Sequence, residues 1–262
     1  MNLSVIIATK NEGKNIEKLM MSLKKQTYQD FEIIIVDNFS NDNTCNIASR
    51  FTKKIFQKGP ERSSQRNFGL KKAISKYLLF IDADMELEKG VLKECYKKMQ
   101  NPQISGVVID EISVGSEFLS KVKALEKKLY TGSEEVEAAR FFRKKDLEKI
   151  GGYDENLIAG EDWDLSQRVK RLGRIGRISA RILHHEGNSL VSDIKKKYYY
   201  AKHLQKYALK NPQDFKKQAG IWRFLMLVKK PKIILNQPVE FLGLLFLKSA
   251  HYLAYLVARF KY

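Results

Sequence analysis

Two aspartates, Asp82 and Asp84, close the apolar run Tyr77-Leu78-Leu79-Phe80-Ile81. Side chains two apart on an extended segment point the same way, so both carboxylates can face one site. Hard oxygen donors suit Mg2+ or Mn2+, ions commonly shared with substrate phosphates. The rival use of such a pair is to cap the next helix; its place after a buried strand favours the site. Asp37 ends a second apolar run, 31–36, before a turn rich in Ser, Asn and Asp. It reads as an Asx-turn or helix cap, or as a carboxylate accepting hydrogen bonds from a nucleobase or ribose. Glu161-Asp162-Trp163-Asp164 opens a helix. The helix dipole favours acids in a first turn, but three in four residues exceed what capping needs, and one can serve as a general base. His184-His185 follow a strand, and the chain has only 4 histidines. An adjacent pair at a strand end reads as metal-binding in preference to a structural pair.

These residues need strands to carry them. Leu3–Thr9, 31–36, 54–56 and 77–81 read as strands, the first two as buried on both faces. Helices over 16–23, 44–51 and 63–75 separate them. The order β-α-β-α-β-α-β argues for a mostly parallel sheet with helices on both faces. Ligands of such sheets sit outside the carboxyl ends of the strands. Asn11/Glu12, Asp37 and Asp82/Asp84 therefore share one edge by topology. Further strands are expected at 105–110, 139–143 and 177–185, and helices at 118–130, 145–150 and 162–172.

The chain has 262 residues, 44% of them hydrophobic, and a net charge of +18. That charge implies anionic partners: phosphates, nucleic acid or an acidic membrane face. From 186 to 262 there are fifteen Lys/Arg against four Asp/Glu, more than half of the surplus. Cys45 and Cys95 make no metal spacing and read as free thiols of a reducing cytosol. The apolar start at 3–8 is too short for a leader and lacks a basic flank.

Six segments together resemble the family 2 inverting glycosyltransferases of the GT-A, Rossmann-like fold: "SVIIATKNEGKNI" at 4–16, "FEIIIVDNFSNDNT" at 31–44, "SSQRNFGLKKA" at 63–73, "LLFIDADMEL" at 78–87, "IGGYDENLIAGEDWDLSQRVKRLG" at 150–173 and "ILHHEG" at 182–187. The resemblance implies a hexosyltransferase using a GDP- or UDP-sugar with Mn2+ or Mg2+. It implies that Thr9, Asn11, Glu12 and Asp37 cradle base and ribose, and that Arg66 lies near the diphosphate or ribose. Asp82 would touch the ribose, Asp84 the metal, and His184, in preference to His185, would complete the metal site. Asp162 matches the catalytic base. The turn after Asp37 departs from the common "DDGSTDGT", which leaves the base open. The Gln-x-x-Arg-Trp segment of processive synthases is missing, which argues against a polysaccharide synthase.

The expected catalytic domain is 1–189, followed by a basic and apolar helical region, 190–262. Val239–Phe260 is long enough to cross a bilayer, yet Lys248, Ser249 and His251 sit mid-segment, where charge is costly. A helix lying in the interface fits better, with Trp222 and the flanking lysines as anchors. The resulting expectation is an enzyme at the cytoplasmic face of the membrane, with a lipid-linked acceptor, an anionic lipid surface and no nucleic acid as partners. A sugar-phosphate nucleotidyltransferase would want a glycine-rich, arginine-bearing loop after the first strand, which "ATKNEGKN" is not. A non-catalytic basic binder of lipid or nucleic acid is the remaining alternative, and no nucleic-acid motif is present.

Overall fold

A computed structural model describes residues 1–185 and 189–260. The chain forms two compact units: Met1–Glu111, Ala138–Glu155 and Glu161–His184 make the first, and Ile112–Glu137, Asn156–Gly160 and His185–Tyr262 the second.

The first unit opens with β1 (Leu3–Thr9), whose seven residues are all buried. α1 (Ile16–Lys24) follows, burying Ile16, Leu19, Met20 and Leu23 at helical spacing. Then come β2 (Phe31–Asp37), α2 (Thr44–Ala48), β3 (Ile55–Gln57), α3 (Arg62–Lys72), β4 (Tyr77–Asp82), β5 (Met85–Leu87), α4 (Val91–Lys98) and β6 (Ile104–Val108). β7 (Glu111–Ser113) lies where the chain leaves this unit, and α5 (Phe118–Tyr130) belongs to the second. The chain returns with β8 (Phe141–Arg143), α6 (Lys144–Lys149), α7 (Glu161–Lys170), β9 (Arg174–Arg177) and β10 (Ile182–His184).

Seven strands form the main sheet in the order β3-β2-β1-β4-β8-β6-β9, and three form a small one, β5-β10-β7. The expected mostly parallel sheet is present: β2 and β4 flank β1 in parallel, β3 extends β2, and β9 runs parallel to β6. β8 is antiparallel to both β4 and β6. One apolar cluster, with Val5, Ile7, Leu19 and Leu79, covers one face of the sheet. Another, with Ile6, Ile34, Phe80 and Phe142, covers the opposite one. This follows from the period-2 alternation of strands whose two faces are both buried.

The single strand expected over 177–185 is two. β9 ends at Arg177 and joins the main sheet, whereas β10 starts at Ile182 and pairs with β5. The Glu94 carboxylate lies at the break, accepting the backbone N–H of Ser179 at 2.8 Å and of Ala180 at 3.1 Å. An antiparallel pairing then sets His184 opposite Met85.

The second unit is helical apart from the end of β7: α5, α8 (Leu190–Lys210), α9 (Pro212–Gln218), α10 (Gly220–Val228), α11 (Pro231–Asn236) and α12 (Pro238–Phe260). Its core is built from Val122, Leu125 and Leu129 of α5, Met226 and Leu227 of α10, and Leu244 and Leu247 of α12.

Candidate active site

Strand register puts the candidate residues in a row. Thr9 pairs with Asp37 and Ala8 with Asp82, all at the carboxyl ends of adjacent strands. Thr9 Oγ1 donates to Asp37 Oδ1 at 2.8 Å. Ser40 closes the turn, donating its N–H to Asp37 Oδ2 at 2.7 Å and its hydroxyl to Oδ1 at 2.6 Å. Asp37 is fully buried, so its carboxylate organises the turn from within. Asn11, in the left-handed region at φ 54°, clasps the same turn: its N–H donates to Ser40 Oγ at 2.7 Å, and its Oδ1 accepts from Asn41 N at 3.0 Å. The Glu12 N–H donates to Thr44 Oγ1 at 2.8 Å. Thr9, Asn11, Glu12 and Asp37 thus form one hydrogen-bonded double loop.

α3 brings Arg66 under this edge. Gly69, one helical turn on, has no room for a side chain: a Cβ there would lie 2.4 Å from Ile6 Cγ2. Helix and strand therefore approach closely, and Gln65 Nε2 donates to the carbonyls of Thr9 at 3.0 Å and Val36 at 2.6 Å. Arg66 is 1% exposed, and buried charge must be paired. Its guanidinium donates to Asp82 Oδ1 at 2.8 Å and to Asp162 Oδ1 at 2.9 Å, and stacks 5.1 Å from the centroid of the Tyr153 ring. The two aspartates are 80 residues apart in sequence and share one arginine.

Asp162 is aimed by α7, which buries Leu165 and Val169 and is tied down by Arg168, whose Nη1 donates to the Ile150 carbonyl at 2.9 Å. The Tyr153 hydroxyl also donates to Asp162 Oδ1, at 3.2 Å. Both bonds fall on Oδ1, and the side chain is 31% exposed. Tyr153 is itself fixed by Asn67, which exchanges a reciprocal amide pair with its backbone at 2.8 and 2.9 Å. Gly152 allows this, with φ 68° and no space for a Cβ beside Asn67.

Asp84 and His184, 100 residues apart, meet through the β5–β10 pairing. His184 Nε2 lies 3.1 Å from Asp84 Oδ2, and Nδ1 lies 3.3 Å from Glu111 Oε2. Of the two adjacent histidines it is the His184 ring that faces Asp84. The Glu186-Gly187 of the same motif lie outside the described residues. Arg140 donates to Glu111 Oε1 at 2.9 and 2.6 Å and lies 3.5 Å from Asp82 Oδ2.

Electrostatics follow from this packing. Burial works to raise the Asp82 pKa, but Arg66, Arg140 and Arg62 overcome it and hold the carboxyl well below the usual range. Glu161 goes the other way. Burial, then the neighbouring Asp162 charge, push it up to about 7 despite Arg62 and Arg66. For Arg140, burial works against the charge, and Glu111 and Asp82 more than restore it.

Among the described residues no group of three or more His, Cys, Asp or Glu side chains is arranged to hold a metal ion. The Asp84–His184 pair does fit a shared site. Asp84 Oδ1 is buried with no hydrogen-bond partner, and carboxylate plus imidazole suits Mn2+ when substrate phosphates complete the shell. Glu111, Arg140 and Tyr153 escaped the sequence reading as site residues. Glu111 carried a usable signal, because "VVIDE" ends an apolar run in acids just as "FIDADME" does. Arg140 carried none.

Comparison with known proteins supplies the family. A model of glycosyl transferase family 2 matches residues 4–153. Among curated relatives, the GalNAc(5)-diNAcBac-PP-undecaprenol beta-1,3-glucosyltransferase of Campylobacter jejuni is 31% identical over 106 residues, covering 37% of this chain and 34% of the relative. Staphylococcus aureus TarS 1-349 in complex with UDP-GlcNAc has a similar fold (TM-score 0.57, 20% identity, 98% of this chain and 90% of that one). So has the mannosyltransferase PcManGT of Pyrobaculum calidifontis in complex with GDP-Man and Mn2+ (TM-score 0.61, 18% identity, 98% and 73%). The chain spans 18% to 40% of the length of the first curated relatives it matches. A family model covering more than half of the chain, on a fold shared with solved glycosyltransferases, makes this chain a member of glycosyltransferase family 2, a transferase of the GT-A fold.

Proposed function

We propose that the chain transfers a hexose, with inversion, from a GDP- or UDP-sugar to a membrane lipid-linked acceptor, a polyprenyl-phosphate or a glycolipid. The observation that carries this reading is the network in which Asp162, Asp82, Asp84 and His184, drawn from separate stretches of chain, are joined through Arg66, Arg140 and Glu111. Nucleotide-sugars bound by two solved neighbours of the same fold, and the lipid-linked substrate named for one relative, support the donor and acceptor classes.

In this reading the Thr9–Asn11–Glu12 loop receives base and ribose, with Asp37 as its buried organiser, and Asp82 faces the ribose. Arg66, nearly inaccessible, acts from beneath by setting Asp82 and Asp162. Mn2+ or Mg2+ held by Asp84, His184 and the donor diphosphate would supply Lewis-acid stabilisation of the leaving nucleoside diphosphate. Asp162 takes the proton of the acceptor hydroxyl through the oxygen not engaged by Arg66 and Tyr153. The hydroxyl oxygen then attacks the anomeric carbon opposite the diphosphate, the bond to the diphosphate breaks, and configuration inverts. With an acceptor phosphate, already ionised, Asp162 only positions it.

The catalytic region is assigned to 1–189 and membrane attachment to 190–262. α12 is long and apolar enough to cross a bilayer by length and composition. Its polar groups, however, have partners within the second unit: Lys248 pairs with Glu126, and His251 with Asp193 at 2.5 Å. Leu242, Phe246, Leu253 and Val257 remain exposed on it, as do Trp222 and Leu225 on α10. This two-sided character, with the basic surplus of the tail, supports a helix lying on the cytoplasmic face of an anionic membrane.

The deciding experiment screens nucleotide-sugars for thermal stabilisation with and without Mn2+, DNA serving as the control for a basic binder. Metal-dependent stabilisation by a GDP- or UDP-sugar is expected. Asp162→Asn should then abolish turnover and keep donor binding; near-normal turnover would sink the base assignment.

A further inference from the structure

We infer that Glu111 and Arg140 are positioning residues that hold the His184 imidazole for the metal. The inference rests on the metal reading of Asp84 and His184 given above. The His184 ring is engaged at both nitrogens, by Asp84 at Nε2 and by Glu111 at Nδ1, and its side chain is only 16% exposed. A metal ion held by Asp84 and His184 would take the place of the first contact. The Nδ1–Glu111 contact then remains to fix the ring, and it specifies the tautomer with hydrogen on Nδ1 and a lone pair on Nε2.

Glu111 can do this because it does not swing. Two nitrogens of Arg140 grip its Oε1 and leave Oε2 to the histidine. Arg140 in turn reaches Asp82 Oδ2 at 3.5 Å. Arg140 thus ties the carboxylate proposed to face the ribose to the one that orients the metal histidine. The arginine sits just before β8, the antiparallel strand beside β4, which places its side chain next to the end of β4.

The test titrates the full chain with Mn2+ in the presence of UDP or GDP, whose diphosphate completes the proposed shell, and follows free Mn2+ by its paramagnetic resonance spectrum against a protein-free nucleotide control. Wild type is compared with Asp84→Asn, Glu111→Ala and Glu111→Gln, each checked for a native circular dichroism spectrum. Loss of an orienting partner of a metal histidine typically weakens metal affinity by about 10- to 100-fold. Glu111→Ala is expected in that range. Glu111→Gln, which keeps an acceptor oxygen, should lose less. With a responsive nucleotide-sugar, the metal concentration for half activation should rise in Glu111→Ala. Asp84-dependent Mn2+ binding that is equally tight in Glu111→Ala would overturn this inference and leave the metal site standing. No Asp84-dependent Mn2+ binding in wild type with either nucleotide would overturn the metal reading and this inference together.

Discussion

At the scale of the residue, Glu161 shows what burial does to an acid. It is 4% exposed and is raised from 4.5 to about 7, by burial first and by Asp162 second. Between those values the folded chain keeps a proton that the unfolded chain has lost. Stability therefore falls as pH rises through that window, and the full cost is present above it. Glu161→Gln removes the titration, so its stability relative to wild type should rise between pH 5 and 8, by on the order of 2 kcal/mol. Urea unfolding at the two pH values measures this; a constant difference would mean that Glu161 ionises normally in the folded protein. Phe39 offers a second test. It holds φ 51° while 61% exposed, and a left-handed backbone costs a non-glycine residue about 1–2 kcal/mol. Phe39→Gly should raise stability by about 1 kcal/mol, read as a higher urea midpoint at unchanged slope.

At the scale of the element, α12 carries a pattern that its sequence leaves ambiguous. Lys248 and His251 interrupt an apolar helix, and interruption alone argues only against spanning. Packing explains them: Lys248 meets Glu126 of α5, and His251 meets Asp193 of α8, which Lys123 also reaches at 2.7 Å. Removing Lys248 takes from Glu126 its hydrogen-bonded cation and leaves it to Lys197 and Arg223. Lys248→Met should destabilise the protein by on the order of 2 kcal/mol, and adding Glu126→Gln should recover part of that loss. Thermal unfolding of Lys248→Met, Glu126→Gln and the double variant gives the coupling directly. Additive losses would mean that the pair contributes nothing as a pair.

At the scale of the whole molecule, the test of membrane attachment has to respect the second unit. Truncation after Asn188 would strip Leu244, Leu247, Met226 and Leu227 from Leu125 and Leu129 of α5, so a change in partitioning would be confounded with unfolding. Substitution of exposed positions avoids this. Leu242→Glu with Phe246→Glu should reduce binding to anionic vesicles several-fold without lowering the melting temperature. Raised salt should weaken wild-type binding, because charge attraction to lipid is screened within a Debye length. Equal sedimentation of wild type and the double variant with vesicles would remove the α12 surface from the membrane reading.

Sequence alone determined the parallel β1–β4 part of the main sheet and its loaded edge. Runs such as Leu3–Thr9 and Phe31–Val36 are too apolar and β-branched to be anything but buried strands, and their order with the intervening helices dictates where Asp37, Asp82 and Asp84 emerge. These are local properties, written in periods of two and of three to four residues. Pairing across long separations was not legible. The resemblance sets Arg66 near the donor's diphosphate or ribose, but nothing in the sequence names its buried partners, the carboxylates of Asp82 and Asp162. Glu111 stood at the acid-loaded end of an apolar run and Arg140 carried no signal, and only the β4–β8 and β5–β10 pairings set them beside Asp82 and His184. Which charges neutralise one another in a dry site depends on distances of a few ångströms between segments up to 100 residues apart, and no periodicity along the chain records those distances.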